Sequence, residues 1–286
     1  MQLGQPSRTA LATAYARAYH QIASEPRIFT DPLAVRIAGA TPEQLADLET
    51  ATVPDDITTD MRRRRRLFLA ARARFAEDTI ADTVATGTRQ VVILGAGLDT
   101  FAYRNPHPNV RVFEVDHPDT QAWKRQRLES AGIELPASLT FAPVDFESQT
   151  LAAGLAAAEF DRSQPAVFIW LGVVMYLTRD TILDTLRFVA DQATPMRLVF
   201  DYLYPTSAAT PEEMGQRTAR ADRVAAMGEP WLSFFTADEI ANILREAGFD
   251  HVDDHDAPHL IAEYLGIEPR QVATVAPHVL CATRTA

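Results

Sequence analysis

Cysteine is nearly absent from this chain: Cys281 is the only one in 286 residues. An intramolecular disulfide and a cysteine-rich metal site are therefore excluded. No His-and-acid setting surrounds this cysteine in His278-Val279-Leu280-Cys281-Ala282. That stretch reads as a strand, and its thiol is expected to be buried and inert. No apolar run approaches the ~18–20 residues of a membrane span. The N-terminal stretch lacks the basic start and apolar core of a secretory signal. Positive charge is also short, with 27 Lys and Arg against 38 Asp and Glu and a net charge of −11. This balance argues against a broad grip on a nucleic-acid backbone and against a polybasic membrane anchor. The seven histidines show no metal-ligand spacing, and no 20–50 residue repeat is present. The expectation is a soluble, cytoplasmic protein without a metal, whose partners include neither nucleic acid nor membrane.

Apolar residues form 47% of the chain, and a chain of this length buries roughly three quarters of its unfolded surface. The first part, residues 1–88, reads as helical. Thr9 to Ser24 is Ala-rich and stops before Pro26. Thr30-Asp31-Pro32 and Thr41-Pro42-Glu43 look like helix starts, and a long helix is expected from about Thr59 to Val84. At Gln90 the pattern changes. Val91-Val92-Ile93-Leu94 is a continuous apolar run ending in glycines, as in a strand buried on both faces. Further strands are expected at 111–116, 139–145, 166–171 and 197–202, with helices between them near 120–131, 147–158 and 179–192. Strand–helix alternation implies right-handed crossovers and a doubly wound, mostly parallel α/β sheet. Thr236-Ala237-Asp238-Glu239 has the form of a capping box. Two last strands, near 251–254 and 278–283, would add an antiparallel edge, giving seven strands. The stretch 205–230 reads as a helical insertion after the fifth strand, placed to cover a substrate. One domain, 1–286, with its core at 89–286, accounts for these elements.

Chemistry concentrates at strand ends. Leu94-Gly95-Ala96-Gly97-Leu98-Asp99-Thr100 lets the backbone turn sharply and approach a ligand closely. Thr100 stands where the third glycine of a dinucleotide fingerprint would be. Glu114-Val115-Asp116 ends the next strand about twenty residues on, where an acid can accept both ribose hydroxyls of an adenosine cofactor. Both acids point to one face, and Asp116 is nearer the carboxyl end. Pro143-Val144-Asp145-Phe146 puts an acid and an aromatic at the third strand's end. These suit an adenine; Asp145 could equally cap a helix. Together the features describe an adenosine-binding domain and leave open a nicotinamide cofactor or S-adenosylmethionine.

The sequence resembles the leucine carboxyl methyltransferase family, especially its bacterial small-molecule branch, over almost the whole chain. The blocks that carry the likeness include Phe29-Thr30-Asp31-Pro32-Leu33-Ala34, Arg72-Ala73-Arg74-Phe75 and the glycine turn Leu94 to Thr100. Phe113-Glu114-Val115-Asp116-His117-Pro118, Gly172-Val173-Val174-Met175-Tyr176-Leu177 and, more weakly, Gly228-Glu229-Pro230-Trp231 continue it. The resemblance implies the class I methyltransferase (Rossmann-like) fold and S-adenosylmethionine as cofactor. It implies that Gly95 and Gly97 approach the methionine portion, with Ala96, Asp99, His117 and Leu171 also among the cofactor-binding residues. Asp116 would hold the ribose and Asp145 and Phe146 flank the adenine, with Arg72 pairing the carboxylate and Arg74 as the fallback. One departure matters: family members often carry a glutamate before Gly-x-x-x-Tyr-Leu, and here that position is Leu171.

The implied activity is methyl transfer to an oxygen of a small molecule, with a carboxylate first and a hydroxyl or phenol of secondary metabolism second. A protein C-terminal carboxyl methyltransferase, a nicotinamide-dependent oxidoreductase and a non-catalytic cofactor-binding module are the alternatives. Candidate substrate-side residues are Tyr176, Tyr202, Tyr204 and Arg104, and candidate bases are His20 and His117. The run Arg62 to Arg66 turns through most of a helix circumference, so it reads as a solvated charge run rather than one site. The oligomeric state is left open.

Overall fold

Val91 to Leu94 form the centre of the molecule because every side chain there is apolar and can be buried on either face. The computed structural model describes residues 7–23, 26–50, 58–145, 148–206, 209–226, 228–269 and 275–285. The strands are β1 (Gln90–Leu94), β2 (Arg111–Asp116), β3 (Leu139–Pro143), β4 (Ala166–Trp170), β5 (Met196–Tyr202), β6 (His251–Asp256) and β7 (His278–Arg284). They form one sheet in the order β3-β2-β1-β4-β5-β7-β6. The first five run parallel, while β7 pairs antiparallel with both β5 and β6. This is the Rossmann-like class I methyltransferase architecture. The chain leaves β1 toward one edge and returns to β4 on its other side, so the strand order reverses between β1 and β4. Ligand crevices in open α/β sheets form at such a reversal, beyond the carboxyl ends of the strands.

Alternation along the strands divides the core into two layers. Val92, Leu94, Phe113, Phe168, Leu198 and Phe200 face one side, with Ile182 and Leu186 of α7 (Arg179–Ala190) and Ile240 and Leu244 of α9 (Ala237–Ala247). Val91, Ile93, Val112, Val167, Ile169 and Val199 face the other, against Phe68, Ala71 and Ile80 of α4 (Thr59–Ala85) and Leu260 of α10 (Ala257–Leu265). Each large aliphatic side chain so buried contributes about 1.5–3 kcal/mol relative to exposure. Along the chain α5 (Pro118–Ser130) follows β2, α6 (Leu151–Ala157) follows β3, and α8 (Pro211–Ala226) is the insertion after β5. The N-terminal region adds α1 (Arg8–Ala23), α2 (Ala34–Ala38) and α3 (Pro42–Thr50).

Three local expectations are corrected. Asp31 does not open a helix directly: α2 starts at Ala34. Asp31 is instead buried and accepts hydrogen bonds from Leu33 N at 3.0 Å and Thr100 Oγ1 at 2.7 Å, which ties the N-terminal helices to the glycine turn. Asp145 is not the helix N-cap; Thr150 caps α6, accepting from Ala153 N. The helix α10 was not anticipated, although Asp256 caps it, Pro258 sits in its first turn and Gly266 ends it in the left-handed region. Its shortness and its strongly apolar composition hid it within the expected antiparallel edge.

Candidate active site

A cavity of about 1660 Å³ opens over the carboxyl ends of β1, β2, β4 and β5. Small-molecule sites commonly span ~300–1,000 Å³, so there is room for a cofactor and an acceptor together. Its floor is made by strand ends, and its roof by α1, the first turns of α4, α8 and the segment after α8.

The glycine turn forms the first wall. Gly95 and Gly97 adopt φ of 65° and 43°, a region that residues with a Cβ enter at a cost. A Cβ on Gly95 would also lie 2.4 Å from Val173 Cγ2. Gly95 N and Ala96 N donate to Val115 O at 2.8 and 3.1 Å, continuing the β1–β2 ladder one residue into the turn. Asp99 lines the cavity and accepts from Phe101 N at 2.8 Å.

Asp116 is the centre of this wall. One carboxylate oxygen accepts from Gly97 N at 2.6 Å and the other from His117 N at 2.7 Å. Burial pushes its carboxyl pKa up, against the two backbone N–H groups that favour the charged form. An ionised carboxylate has about four acceptor sites, so capacity is left for a ligand. Its neighbour on the same strand face, Glu114, is buried and takes Lys124 Nζ at 2.7 Å and Tyr103 OH at 3.1 Å. Glu114 does not line the cavity. His117 does, while its Nδ1 accepts from Asp119 N at the start of α5. Asp145 lines the cavity too and accepts from Ser148 Oγ at 2.9 Å. Phe146 lies outside the described residues.

The opposite wall carries a charge pair. Arg72, midway along α4, donates through Nη1 to Asp201 Oδ2 at the end of β5. The other oxygen of Asp201 accepts from Gly172 N at 2.5 Å. Both side chains are at least nine-tenths buried, and both border the cavity beside Leu171. Arg74 is elsewhere. It pairs with Asp78 at 3.4 Å, stacks over Tyr264 and donates to Ile28 O.

Most candidate substrate-side residues are not brought to the cavity. Tyr176 is, on the short turn Val174–Tyr176. Tyr202 is fully buried on β5, donates to Asp254 Oδ2 at 2.6 Å and stacks on His278. Tyr204 stacks on the same imidazole, with centroids 5.3 Å apart. Neither borders the cavity, because the β5–β7–β6 edge absorbs both rings. Arg104 is held by both oxygens of Glu77 and by Asp31 at 3.3 Å, away from the cavity. His20 is fully buried, accepts from Phe29 N at 3.4 Å and does not reach the cavity. Burial, Arg66 and Arg27 lower its pKa to about 4, so it is neutral at pH 7.

The run Arg62 to Arg66 is also corrected. All five border the cavity, and Arg66 is buried, stacking over Tyr19 at 4.8 Å. The cavity wraps around the first turns of α4, so all five side chains border it, although Arg63 and Arg64 also stay exposed to solvent. Three residues escaped the sequence reading. Asp201 had one visible signal, a lone acid inside the apolar strand Leu198 to Tyr202. Arg217 and Arg220 on α8 had none, since their helix reads as an ordinary polar surface helix.

Comparison with known proteins follows the same lines. The family model described as leucine carboxyl methyltransferase matches residues 10–190. The "Putative S-adenosyl-L-methionine-dependent methyltransferase YktD" of Bacillus subtilis is 30% identical over 280 residues, covering 90% of this chain and 91% of that protein. A "Putative S-adenosyl-L-methionine-dependent methyltransferase" of Mycobacterium ulcerans is 35% identical over 193 residues, 65% of this chain and 61% of that one. Among solved structures, a "putative methyltransferase" from Thermobifida fusca superposes with a TM-score of 0.56 at 17% identity, over 100% of this chain and 97% of the other. That last likeness concerns the fold.

Proposed function

The chain belongs to the leucine carboxyl methyltransferase family, and from that premise we propose that it uses S-adenosylmethionine to convert a carboxylate of a small-molecule acceptor into its methyl ester. Methyltransferase chemistry belongs to the family; the oxygen acceptor and its carboxylate nature are our reading.

The observation that carries it is the convergence of the glycine turn, Asp116 and the Arg72–Asp201 pair on one cavity at the reversal of strand order. These groups fit the cofactor part by part. An amino-acid headgroup bears one negative and one positive charge, and Arg72 and Asp201 offer the complementary pair. Arg72 has five N–H donors and gives one nitrogen to Asp201. Asp201 supplies an acid close to where family members carry a glutamate and this chain has Leu171. Asp116 would take the ribose hydroxyls and Asp145 the adenine amine. The positive φ of Gly95 and Gly97 brings bare backbone to the same wall.

When bound, S-adenosylmethionine supplies a methyl carbon on a sulfonium, which is already a good leaving group. The chain's own contribution is then alignment and exclusion of water. Orienting two reactants is worth up to about 7–11 kcal/mol. The α1, α4 and α8 roof encloses the space above the floor, and a dry site favours a reaction in which the sulfonium and oxyanion charges cancel. A carboxylate acceptor is ionised at neutral pH and needs no base. This agrees with the burial of His20, which removes the histidine of α1 as a base.

Calorimetric titration with S-adenosylhomocysteine tests the pocket. Incubation with methyl-labelled S-adenosylmethionine and a metabolite extract, read by mass spectrometry, tests the acceptor. A labelled product cleaved by mild base supports an ester. A labelled product stable to base would rule out the carboxylate as acceptor, and absence of S-adenosylhomocysteine binding would defeat the reading altogether.

A further inference from the structure

The roof of the cavity differs from its floor in charge. On the floor, Arg72 is neutralised by Asp201. The roof collects the arginines of α4's first turns together with Arg217, Arg220 and Arg223 of α8. Among the described acids of α4 and α8, Asp60 and Glu213 border the cavity, while Asp222 is exposed and does not. Both are already engaged: Asp60 pairs with Arg64 at 2.6 Å, and Glu213 accepts from Thr210 N at 2.8 Å to start its own helix. Glu229, beyond α8, accepts from Thr9 N of α1. In a chain of net charge −11, a positive enclosure of this kind is a local construction.

Two of these arginines are held in place by aromatic rings. The Arg217 guanidinium lies 5.0 Å from the Phe234 ring centroid, and that of Arg220 lies 5.2 Å from Trp231. The segment bearing both rings is pinned to the loop after β4, with Leu232 N donating to Met175 O at 2.7 Å and Ser233 Oγ to Val174 O at 2.8 Å. Arg217 Nη2 is buried without a hydrogen-bond partner. Arg220 is exposed and borders the cavity. It has no carboxylate partner among the described residues. Its guanidinium sits among the like charges of Arg65, Arg217 and Arg223. Stacked, planar donors with unused N–H groups suit bidentate recognition of carboxylate or phosphate.

We infer that Arg217 and Arg220 form a binding site for an anionic group of the acceptor, a carboxylate or phosphate remote from the oxygen that receives the methyl group. This rests on the methyltransferase reading above for the presence of an acceptor in the cavity. The acceptor is thus a small molecule with at least two anionic groups, one methylated over the floor and one held at the roof. This guanidinium pair has no acid partner among the described residues, and the second group would supply the charge-assisted hydrogen bonds that Arg217 Nη2 lacks.

The test uses the full chain saturated with S-adenosylhomocysteine and titrates citrate, inorganic pyrophosphate and, as a neutral control, trimethyl citrate. The site is expected to bind citrate or pyrophosphate and not the triester, with the stronger of the two naming carboxylate or phosphate as its ligand. Arg217→Gln/Arg220→Gln should weaken that binding by about tenfold or more, with unchanged affinity for S-adenosylhomocysteine. Arg217→Lys/Arg220→Lys should recover part of it. Equal anion binding by wild type and the glutamine variant, or none by wild type, overturns the inference and leaves the cofactor pocket standing. Failure of wild type to bind S-adenosylhomocysteine would instead remove the reading beneath it.

Discussion

Arg72 and Asp201 form a buried ion pair although 129 positions separate them in sequence. The pair joins the middle of α4 to the end of β5, and Gly172 N completes it from the loop after β4. Three elements are therefore tied by one carboxylate. Removing one partner of a buried pair leaves an uncompensated charge, which costs about 3–5 kcal/mol. Asp201→Ala should lower unfolding stability in urea by about 3 kcal/mol and weaken S-adenosylhomocysteine binding. The double variant Arg72→Met/Asp201→Leu should recover stability without recovering binding. Recovery of both would show that the pair is structural only.

Asp116 holds two backbone N–H groups and faces the cavity. A charged hydrogen bond contributes about 1.5–3 kcal/mol. Asp116→Ala is expected to weaken S-adenosylhomocysteine binding by at least about tenfold, measured by calorimetry. Glu114→Gln, on the same strand but outside the cavity, should change that affinity far less. Unchanged affinity in the Asp116 variant would end its assignment to the ribose.

Gly95 combines a positive φ with a close approach, and the two can be separated. Gly95→Ala should cost about 2–5 kcal/mol, from left-handed strain of about 1–2 kcal/mol and overpacking of about 1–3 kcal/mol. Adding Val173→Ala removes the 2.4 Å clash and should leave only the conformational part relative to Val173→Ala alone. If the second substitution gives no relief, the contact with Val173 is not what excludes a Cβ.

His20 makes stability pH-dependent. Its folded pKa is lowered from 6.5 to about 4, so the unfolded chain takes up a proton first as pH falls. The contribution is present above pH 6.5 and is lost as pH falls toward 4, by about 3 kcal/mol at most. Glu114 runs the other way, because burial raises its pKa from 4.5 to about 7, against Lys124. Its contribution is full below pH 4.5 and is lost as pH rises through 7. Comparing urea midpoints of wild type and His20→Gln at pH 4.5 and pH 7 isolates the histidine. The wild type should lose more on acidification than the variant, and parallel losses would mean that His20 is protonated in the folded state.

Much of the fold was legible because its signals are local. The apolar run Val91 to Leu94 and its glycines set a buried strand and a sharp turn. Thr236 and Glu239 make both bonds of the expected capping box. Glu114-Val115-Asp116 ended its strand as read, and Asp116 rather than Glu114 faces the cavity. Leu171 was legible as a departure, but its neighbour Asp201 was not, since no spacing links the end of β4 to the end of β5. Tyr202, Tyr204, Arg104 and His20 were named for residue type near a strand end or on α1. Which of them turns inward depends on partners far away in the chain: Asp254 and His278 for the tyrosines, Glu77 for the arginine, Arg66 for the histidine.

By itself, the sequence determined the sheet, its helical crossovers, the glycine turn and the acid at the next strand end, because periodicity and turn chemistry act over a few residues. Only the tertiary structure decided which charges share a space. Arg62 to Arg66 look solvated along an isolated helix, and Arg217 and Arg220 look the same along another. They become the roof of one cavity when α8, about 150 positions later, folds back over α4. Coulomb energy and solvation depend on distance and enclosure, and neither is written in the spacing of residues along the chain.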